Sequence, residues 1–598
     1  TSAVLVCRMK VCALLVTLIL GSVSVVQSEA NSQPPNVILV LTDDQGIGDL
    51  GAHGNPWIQT PHIDRFYEDV VRLTDFHVSP VCTPTRAAIM TGRYPINNGV
   101  WATYKGRDAL FGDSLTLAEV FQQNGYRTGI FGKWHLGDNY PVRPTDSGFD
   151  VAVQHKSGGV GELSDYWGND YFDDVYFVNN EPQRFEGYCT DIWFEQAMSF
   201  ITETGDQPFF AYIPTNAPHG PHIIVEKYAA PYRHLVGDKI VGAEFYGMIT
   251  NIDENFGRLE AFLEESDLAD NTILIFMTDN GSGGGRSTTN DLGFNQGFSG
   301  KKGSKLEGGH RVPFFIRWKD GNVEGGRDLA DLSAHVDLLP TLAGLCGFTV
   351  PSQIKLDGID LSDRLQGGGP HDADRTVFVH HNQDWRPPAD EDQTCIANGN
   401  WRLVNGAELY DIEADRAQQN NLAKQHPEIV QRLLTQNLGF VSDAKTQREY
   451  YEFPPSVVGS VHQPVTTLTI QHAIGDDAGF WKCEHVAAGL KSENNRHSLE
   501  IARAGRYRIS FRRWPQECPG PIHGIPTENP EDMFNYQTIT PEIARLQIAN
   551  QLIEKPIRAD DEAIRFDVWL DEGKTILTND FIEGDETYGV YYTYITAL

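Results

Sequence analysis

Basic residues are scarce in this 598-residue chain: 48 Lys and Arg stand against 81 Asp and Glu, a formal net charge of −33. That balance excludes nucleic acid as a partner, because phosphate backbones are held by basic surface. It also excludes long-range steering of an anionic substrate, so any anion site has to be a local cluster of cations in an acidic molecule. The eight cysteines form no C-x-x-C pair, which argues against a zinc cage. No solenoid-type repeat is present. An apolar stretch comfortable as a membrane span is also missing: the uncharged run 11–26 is short for one. It follows Arg8-Met9-Lys10 and precedes Val26-Gln27-Ser28, which resembles a signal-peptidase site. Residues 1–28 are therefore expected to be upstream residues plus a cleaved signal peptide starting at Met9. The mature protein is then secreted or periplasmic, without lipidation or stable membrane association. Export permits disulfides, and Cys483–Cys518 is the expected pair. Cleavage removes Cys7 and Cys12, and with Cys82 set aside for chemistry five cysteines remain, so at least one is unpaired.

What is present reads as an α/β fold with two smaller parts appended. Continuous apolar runs at 36–42, 209–213, 272–277 and 313–318 suit strands buried on both faces of a large, mainly parallel sheet. Thr116-Leu117-Ala118-Glu119 is a capping box opening a helix that Gly125 stops, and 127–131 is the next strand. Sites in such sheets form beyond the carboxyl ends of the strands. From about residue 350 the pattern changes, with a strand around Leu409-Tyr410-Asp411-Ile412 and a helix at 427–438. Beyond about 455 the chain turns β-rich. Residues 498–501 and 507–514 read as a hairpin around Ala504-Gly505, and 564–570 and 588–595 read as further strands. The expected division is an α/β catalytic domain at 34–348, a smaller α+β subdomain at 349–440, and a β-sandwich-like accessory domain at 455–598.

Three motifs end apolar strands: Asp43-Asp44, Gly132-Lys133-Trp134-His135-Leu136-Gly137, and Asp279-Asn280. The two acidic pairs offer oxygen donors and no thiolate, which suits a hard cation such as calcium better than zinc. Cys82-Thr83-Pro84-Thr85-Arg86 runs on into Ala87-Ala88-Ile89-Met90-Thr91-Gly92-Arg93. Together these motifs resemble type I sulfatases, arylsulfatase-like members of the alkaline phosphatase superfamily, across roughly residues 36–425. Most members have serine where this chain has Thr85, and threonine keeps the hydroxyl.

The resemblance implies a set of roles. Cys82 is oxidised by a dedicated maturation enzyme to formylglycine, whose hydrate attacks sulfur. Asp43, Asp44, Asp279 and Asn280, with modified Cys82, hold Ca2+. Arg86, Lys133 and Lys302 neutralise the sulfate, and His219 and Lys302 protonate the leaving oxygen. His135 takes the proton from the second hydroxyl so that the aldehyde reforms and sulfate departs. Lys302 is placed by its spacing from Glu307-Gly308-Gly309, while Glu307 and Arg311 hold that turn. With the segment extended, Lys133 and His135 would face the sulfate together. His222 is a rim candidate. The aromatics of 155–190, interleaved with Asp, suit a sugar or a structural loop, and the stretch 380–385 could reach the pocket. A sulfated poly- or oligosaccharide is the expected substrate. A phosphonate or phosphate-ester hydrolase of the same superfamily is the enzymatic alternative, and a carbohydrate-binding pseudoenzyme the non-enzymatic one.

Overall fold

The computed structural model describes residues 33–352, 354–388, 392–493, 495–527 and 534–598. The expected leader at 1–28 lies outside the described residues. The strand Asn36–Thr42 is buried along its whole length. Its side chains divide between two cores as a strand's period of two requires. Val37, Leu39 and Leu41 join one apolar cluster, with Ala87, Ile89 and Leu339. Ile38 and Val40 join another, with Ile192, Met248 and Phe256. Burying each such aliphatic side chain contributes roughly 1.5–3 kcal/mol.

This strand sits inside a ten-stranded sheet. Asn36–Thr42 pairs in parallel with Thr272–Thr278 on one side and Phe209–Pro214 on the other. Arg127–Lys133 continues the parallel core beyond Phe209–Pro214. All four strands therefore deliver their carboxyl ends to one edge. The sheet is mixed at its flanks: Phe314–Arg317 runs antiparallel to Thr272–Thr278, and Val175–Val178 antiparallel to Val151–His155. The helices Cys189–Thr204 and Ala243–Glu265 cover one face, and Cys82–Thr91 and Leu338–Cys346 the other. The capping box on Leu117–Gln123 forms in both directions, Thr116 to the Glu119 amide and Glu119 back to the Thr116 amide. Among the described residues no helix is long and apolar enough to cross a membrane.

Residues 376–411 form a four-stranded antiparallel sheet, packed on the helix Pro427–Ala444. Two further sheets follow, antiparallel except where Ser456–Val458 runs parallel to Arg496–Ile501, and they share one apolar cluster. Their connectivity corrects two sequence expectations. Arg496–Ile501 and Gly505–Arg512 do not form a hairpin. The first pairs with Gly573–Glu583 and the second with Ile564–Leu570 and Tyr592–Ala597, in different sheets. Each strand has an alternating buried face, so the chain crosses between layers to place both faces in one core. The Tyr507 hydroxyl, donating to the Arg503 carbonyl at 2.6 Å, ties the corner. The stretch 588–595 likewise divides, at buried Val590 and Tyr591, into Glu586–Gly589 of one sheet and Tyr592–Ala597 of the other.

The expected Cys483–Cys518 disulfide is absent. Cys483 is a free thiol, so this pair is not formed, and both residues lie buried in the cluster between these sheets. A core of that size closes by apolar burial and does not depend on a staple between these two cysteines.

Candidate active site

The sheet topology gathers the motifs at one edge. Asp43 and Asp44 follow Thr42, Asp279 and Asn280 follow Thr278, and the amide of Asp279 donates to the Thr42 carbonyl at 3.1 Å. Asp44 turns back with φ 67°, and its amide donates to Asp279 Oδ1 at 3.1 Å. Asn280 Nδ2 donates to Asp44 Oδ1 at 2.9 Å. Cys82 is the first residue of the helix Cys82–Thr91, all ten residues of which are buried. The helix therefore points its positive end at the site, where an anion is favoured.

The cations are fastened to these acids. Lys133 Nζ lies 2.5 Å from Asp43 Oδ2, and Arg86 donates to Asp279 Oδ2 at 2.8 Å and to the Lys133 carbonyl at 3.1 Å. Lys302 Nζ stands 2.6 Å from Asp44 Oδ1, and His219 Nε2 3.9 Å from Asp44 Oδ2. Burial alone would raise the Asp43 carboxyl, but the charges of Lys133, His219 and Arg86 outweigh it and hold the group below its ordinary value. Asp44 is likewise lowered, its burial outweighed chiefly by Lys302 and His219. Burial and the Asp43 charge instead push Asp279 up to about 7, despite Arg86.

His135 departs from the expected geometry. The segment is not extended through it: Lys133 ends the strand, and His135 takes φ 56°. Gly132 begins this bend with φ 127°, where a Cβ would stand 2.1 Å from the Pro214 carbonyl oxygen. Lys133 thus points down to Asp43, while His135 comes beside Cys82. The Thr103 carbonyl, 3.2 Å from Nε2, can only accept, so Nε2 carries the proton. Nδ1 then presents its lone pair, 3.0 Å from Thr83 Oγ1 and 3.7 Å from Cys82 Sγ. Burial first, then the charges of Lys133 and Arg86, hold the imidazole well below its ordinary value and keep it neutral. Burial also pushes the unmodified Cys82 thiol up, so as a plain cysteine it is not an activated thiolate.

The donor set fits a hard cation. Asp43 Oδ1 and Asn280 Oδ1 are buried without a hydrogen-bond partner, and such orphans are uncommon unless something outside the chain satisfies them. Oxygens of Asp43 and Asp279 and the Cys82 sulfur lie within 4.8 Å of one another. That sulfur occupies the position the oxidised residue would fill with oxygen, so the set becomes all-oxygen, as calcium requires. His77, Glu307 and His310 also group within 4.8 Å, but Glu307 already accepts from Arg402 at 2.7 Å and Arg311 at 3.0 Å, and the two imidazoles bond each other at 2.9 Å. This network holds the turn after Lys302, in keeping with the structural part expected of Glu307 and Arg311.

Cys82, His135, His219 and Lys302 line one cleft of about 260 Å³, while Arg86 and Lys133 lie buried beneath it. The chain belongs to the sulfatase family. The family profile matches residues 35–348. N-acetylgalactosamine-6-sulfatase of Canis lupus familiaris is 32% identical over 371 residues, spanning 58% of this chain and 69% of that protein. N-acetylgalactosamine-6-O-sulfatase of Bacteroides thetaiotaomicron is 28% identical over 496 residues, 67% of this chain and 92% of that protein. The crystal structure of Ps i-CgsB in complex with k-i-k-neocarrahexaose superposes with a TM-score of 0.62 at 26% identity, covering 71% of this chain and 96% of that one. This sulfatase is a sulfuric ester hydrolase of the alkaline phosphatase superfamily.

Most of the remaining cleft residues carry no sequence signal. Glu162, Thr103, Tyr104, Gln383, Gln471 and Trp481 also line the sulfatase cleft. Gln383 belongs to the stretch 380–385 expected to reach the pocket, and Glu162 follows the glycines of Gly158-Gly159-Val160-Gly161. Of the stretch 380–385, Gln383 reaches the cleft, whereas His380 stacks on Phe440. The aromatics of 155–190 are mainly structural: Tyr171 and Tyr176 are fully buried, and Trp167 packs edge-on against Trp514. His222 packs on Phe245 and does not line the cleft.

Proposed function

We propose that this sulfatase removes sulfate from a sulfated carbohydrate, using Cys82 in its formylglycine form and Ca2+ held by Asp43, Asp44, Asp279 and Asn280. The observation that carries this reading is the convergence on Cys82 of two buried orphan oxygens and the cations of Arg86, Lys133 and Lys302. The relatives' names, N-acetylgalactosamine-6-sulfatase and N-acetylgalactosamine-6-O-sulfatase, and the k-i-k-neocarrahexaose in complex with Ps i-CgsB support a carbohydrate substrate.

The hydrated aldehyde supplies a nucleophilic oxygen and a second hydroxyl, which a serine or plain cysteine lacks. Calcium, when bound, adds charge that polarises the sulfate oxygens. Arg86 is held rigid by Asp279 and the Lys133 carbonyl, so its charge needs no reorganisation as the sulfate reacts. Lys302 and His219, both beside Asp44, are positioned to protonate the departing alcohol. His219 Nδ1 contacts the Gly220 carbonyl at 2.7 Å, which leaves Nε2 for that transfer. Neutral His135 takes the proton at residue 82 that releases sulfate.

The same reading assigns export through the leader at 1–28, recognition by a formylglycine-generating enzyme, and the division into 34–348, 349–440 and 455–598. The test is mass spectrometry of the Cys82 peptide from a host with the maturation enzyme, beside rates on 4-nitrophenyl sulfate and 4-nitrophenyl phosphate. Conversion of Cys82 with the sulfate ester cleaved faster is expected. An unmodified but active enzyme, or a preference for the phosphate ester, would reject the reading.

A further inference from the structure

The cleft is walled on one side by residues far outside the matched stretch 35–348. Trp481 and Gln471 come from the C-terminal part of the chain and share the cavity with Cys82 and Lys302. Trp481 is 39% exposed, a large value for tryptophan in a packed region. Its ring lies 6.0 Å from that of Tyr104 at 31°, close enough to parallel for the two to make one apolar surface. Backbone bonds fix this surface relative to the catalytic part: the Leu163 amide donates to the Trp481 carbonyl at 3.0 Å, and Glu162 pairs with Lys482. Leu163 and Trp167 are themselves buried in the C-terminal apolar cluster.

The polar half of the wall is equally defined. Gln471 is buried, accepts from Ser157 Oγ at 2.7 Å and donates to Glu162 Oε2 at 2.9 Å. The Gly158 amide also donates to Glu162 Oε2 at 3.0 Å, and Ser157 Oγ, whose single proton goes to Gln471 in this arrangement, lies 2.8 Å from the same oxygen. None of these bonds ends on Oε1. Gly158 permits the approach, since a Cβ there would stand 2.6 Å from His135 Cε1. Gln383, from the small four-stranded part, closes the remaining side.

We infer that the C-terminal sheets complete the substrate site, with Trp481 and Tyr104 as the stacking face for the sugar ring and Glu162, oriented by Gln471, as acceptor for its hydroxyls. This rests on the proposed carbohydrate substrate. Aromatic faces take the apolar C–H face of a pyranose, and a few placed polar groups fix its orientation. Lys302 is the sole Lys or Arg among the lining residues, at the sulfate end, and Glu162 faces the rest. The wall therefore takes a neutral, hydroxylated ring carrying one sulfate, and disfavours a second anion beside Glu162.

The experiment uses the full chain, matured at Cys82, with N-acetylgalactosamine 6-sulfate, galactose 6-sulfate and carrageenan oligosaccharides as substrates and inorganic sulfate as inhibitor. Sulfate probes the anion site alone. For Trp481→Ala, the ratio of KM for the best sugar sulfate to Ki for sulfate should rise about tenfold, the usual cost of truncating a stacking tryptophan. Trp481→Phe should restore most of it, and Gln471→Ala should raise the same ratio less. A parallel rise in KM and Ki would mark a merely structural role and overturn the inference, as would an unmoved KM. Wild-type enzyme that cleaves 4-nitrophenyl sulfate but none of the sugar sulfates would also overturn it. Loss of all sulfate-ester cleavage despite modified Cys82 would instead reject the proposed function itself.

Discussion

The strand ends around Cys82 and the C-terminal sheets around Trp514 are both buried, but by opposite means. At the first, Asp43, Asp279, Arg86 and Lys133 are fully enclosed and held by ion pairs and hydrogen bonds. At the second, a cluster running from Val458 to Ile595 is closed by aliphatic and aromatic packing. Buried charge is a poor source of stability, because desolvation offsets attraction. A site built of it is preorganised for chemistry, and the surrounding sheet supplies its rigidity. The packed region contributes stability and shape, and touches the chemistry through only a few cleft residues. Single changes at the centre should therefore erase activity and spare the fold, whereas changes in the sheets should do the reverse.

The sharpest test of that contrast is Cys82→Ala. Turnover should fall by roughly 10⁴-fold or more, with an unchanged circular dichroism spectrum; normal sulfate release would sink the assignment. Calcium removal comes next. Chelation, or Asp279→Asn, should cost about a hundredfold or more in kcat/KM, with added calcium rescuing the chelated enzyme but not the variant at equal concentration. Calorimetric titration should show the same loss in affinity, and full activity under chelation would break the metal reading.

A third prediction concerns the seam between the two regions. His472 of the C-terminal part contacts Asp108 at 2.5 Å and Asp138 at 3.3 Å. Burial alone would lower this histidine, but the two carboxylates outweigh it and raise it from 6.5 to about 10. Its stabilising contribution is therefore complete below about pH 6.5 and lost as pH rises through about 10. Asp138 runs the other way. Burial opposes its ionised form, yet His472 lowers the group below 3.8, so its contribution is lost as pH falls through that lowered value. His472→Ala should destabilise the protein by about 3 kcal/mol and flatten the decline in melting temperature between pH 7 and 10; an unaltered alkaline slope would refute the role.

The smallest effect is expected at Thr85. Its hydroxyl accepts from the Ser79 amide at 3.0 Å and lies 3.2 Å from the Ser79 carbonyl, bonds that serine can keep. Thr85→Ser should then lose only a buried methyl, about 1 kcal/mol, with formylglycine conversion at least equal to the parent's by peptide mass spectrometry.

The legibility of these regions differs for a physical reason. Strand runs such as 36–42 and 272–277 are visible because burial on both faces demands continuous apolar residues. The Cys82 and Lys133–His135 motifs are visible because their chemistry needs particular residues at close spacing. The crossing between Arg496–Ile501 and Gly505–Arg512 was hidden, since alternation shows that a face is buried but not in which sheet. The bend at His135 was hidden too, because a positive φ at a non-glycine residue leaves no local pattern.

The sequence by itself determined the parallel strand core, the family, and the residue types gathered for sulfate chemistry, all written in local pattern. Tertiary structure alone decided that Lys133 turns away from His135 to pair with Asp43, and that Glu162, Gln471 and Trp481 join Gln383 in one cleft. Those contacts join residues tens to hundreds of positions apart. No local spacing encodes them, because the first arise from strand order within one sheet and the last only when the C-terminal sheets pack against it.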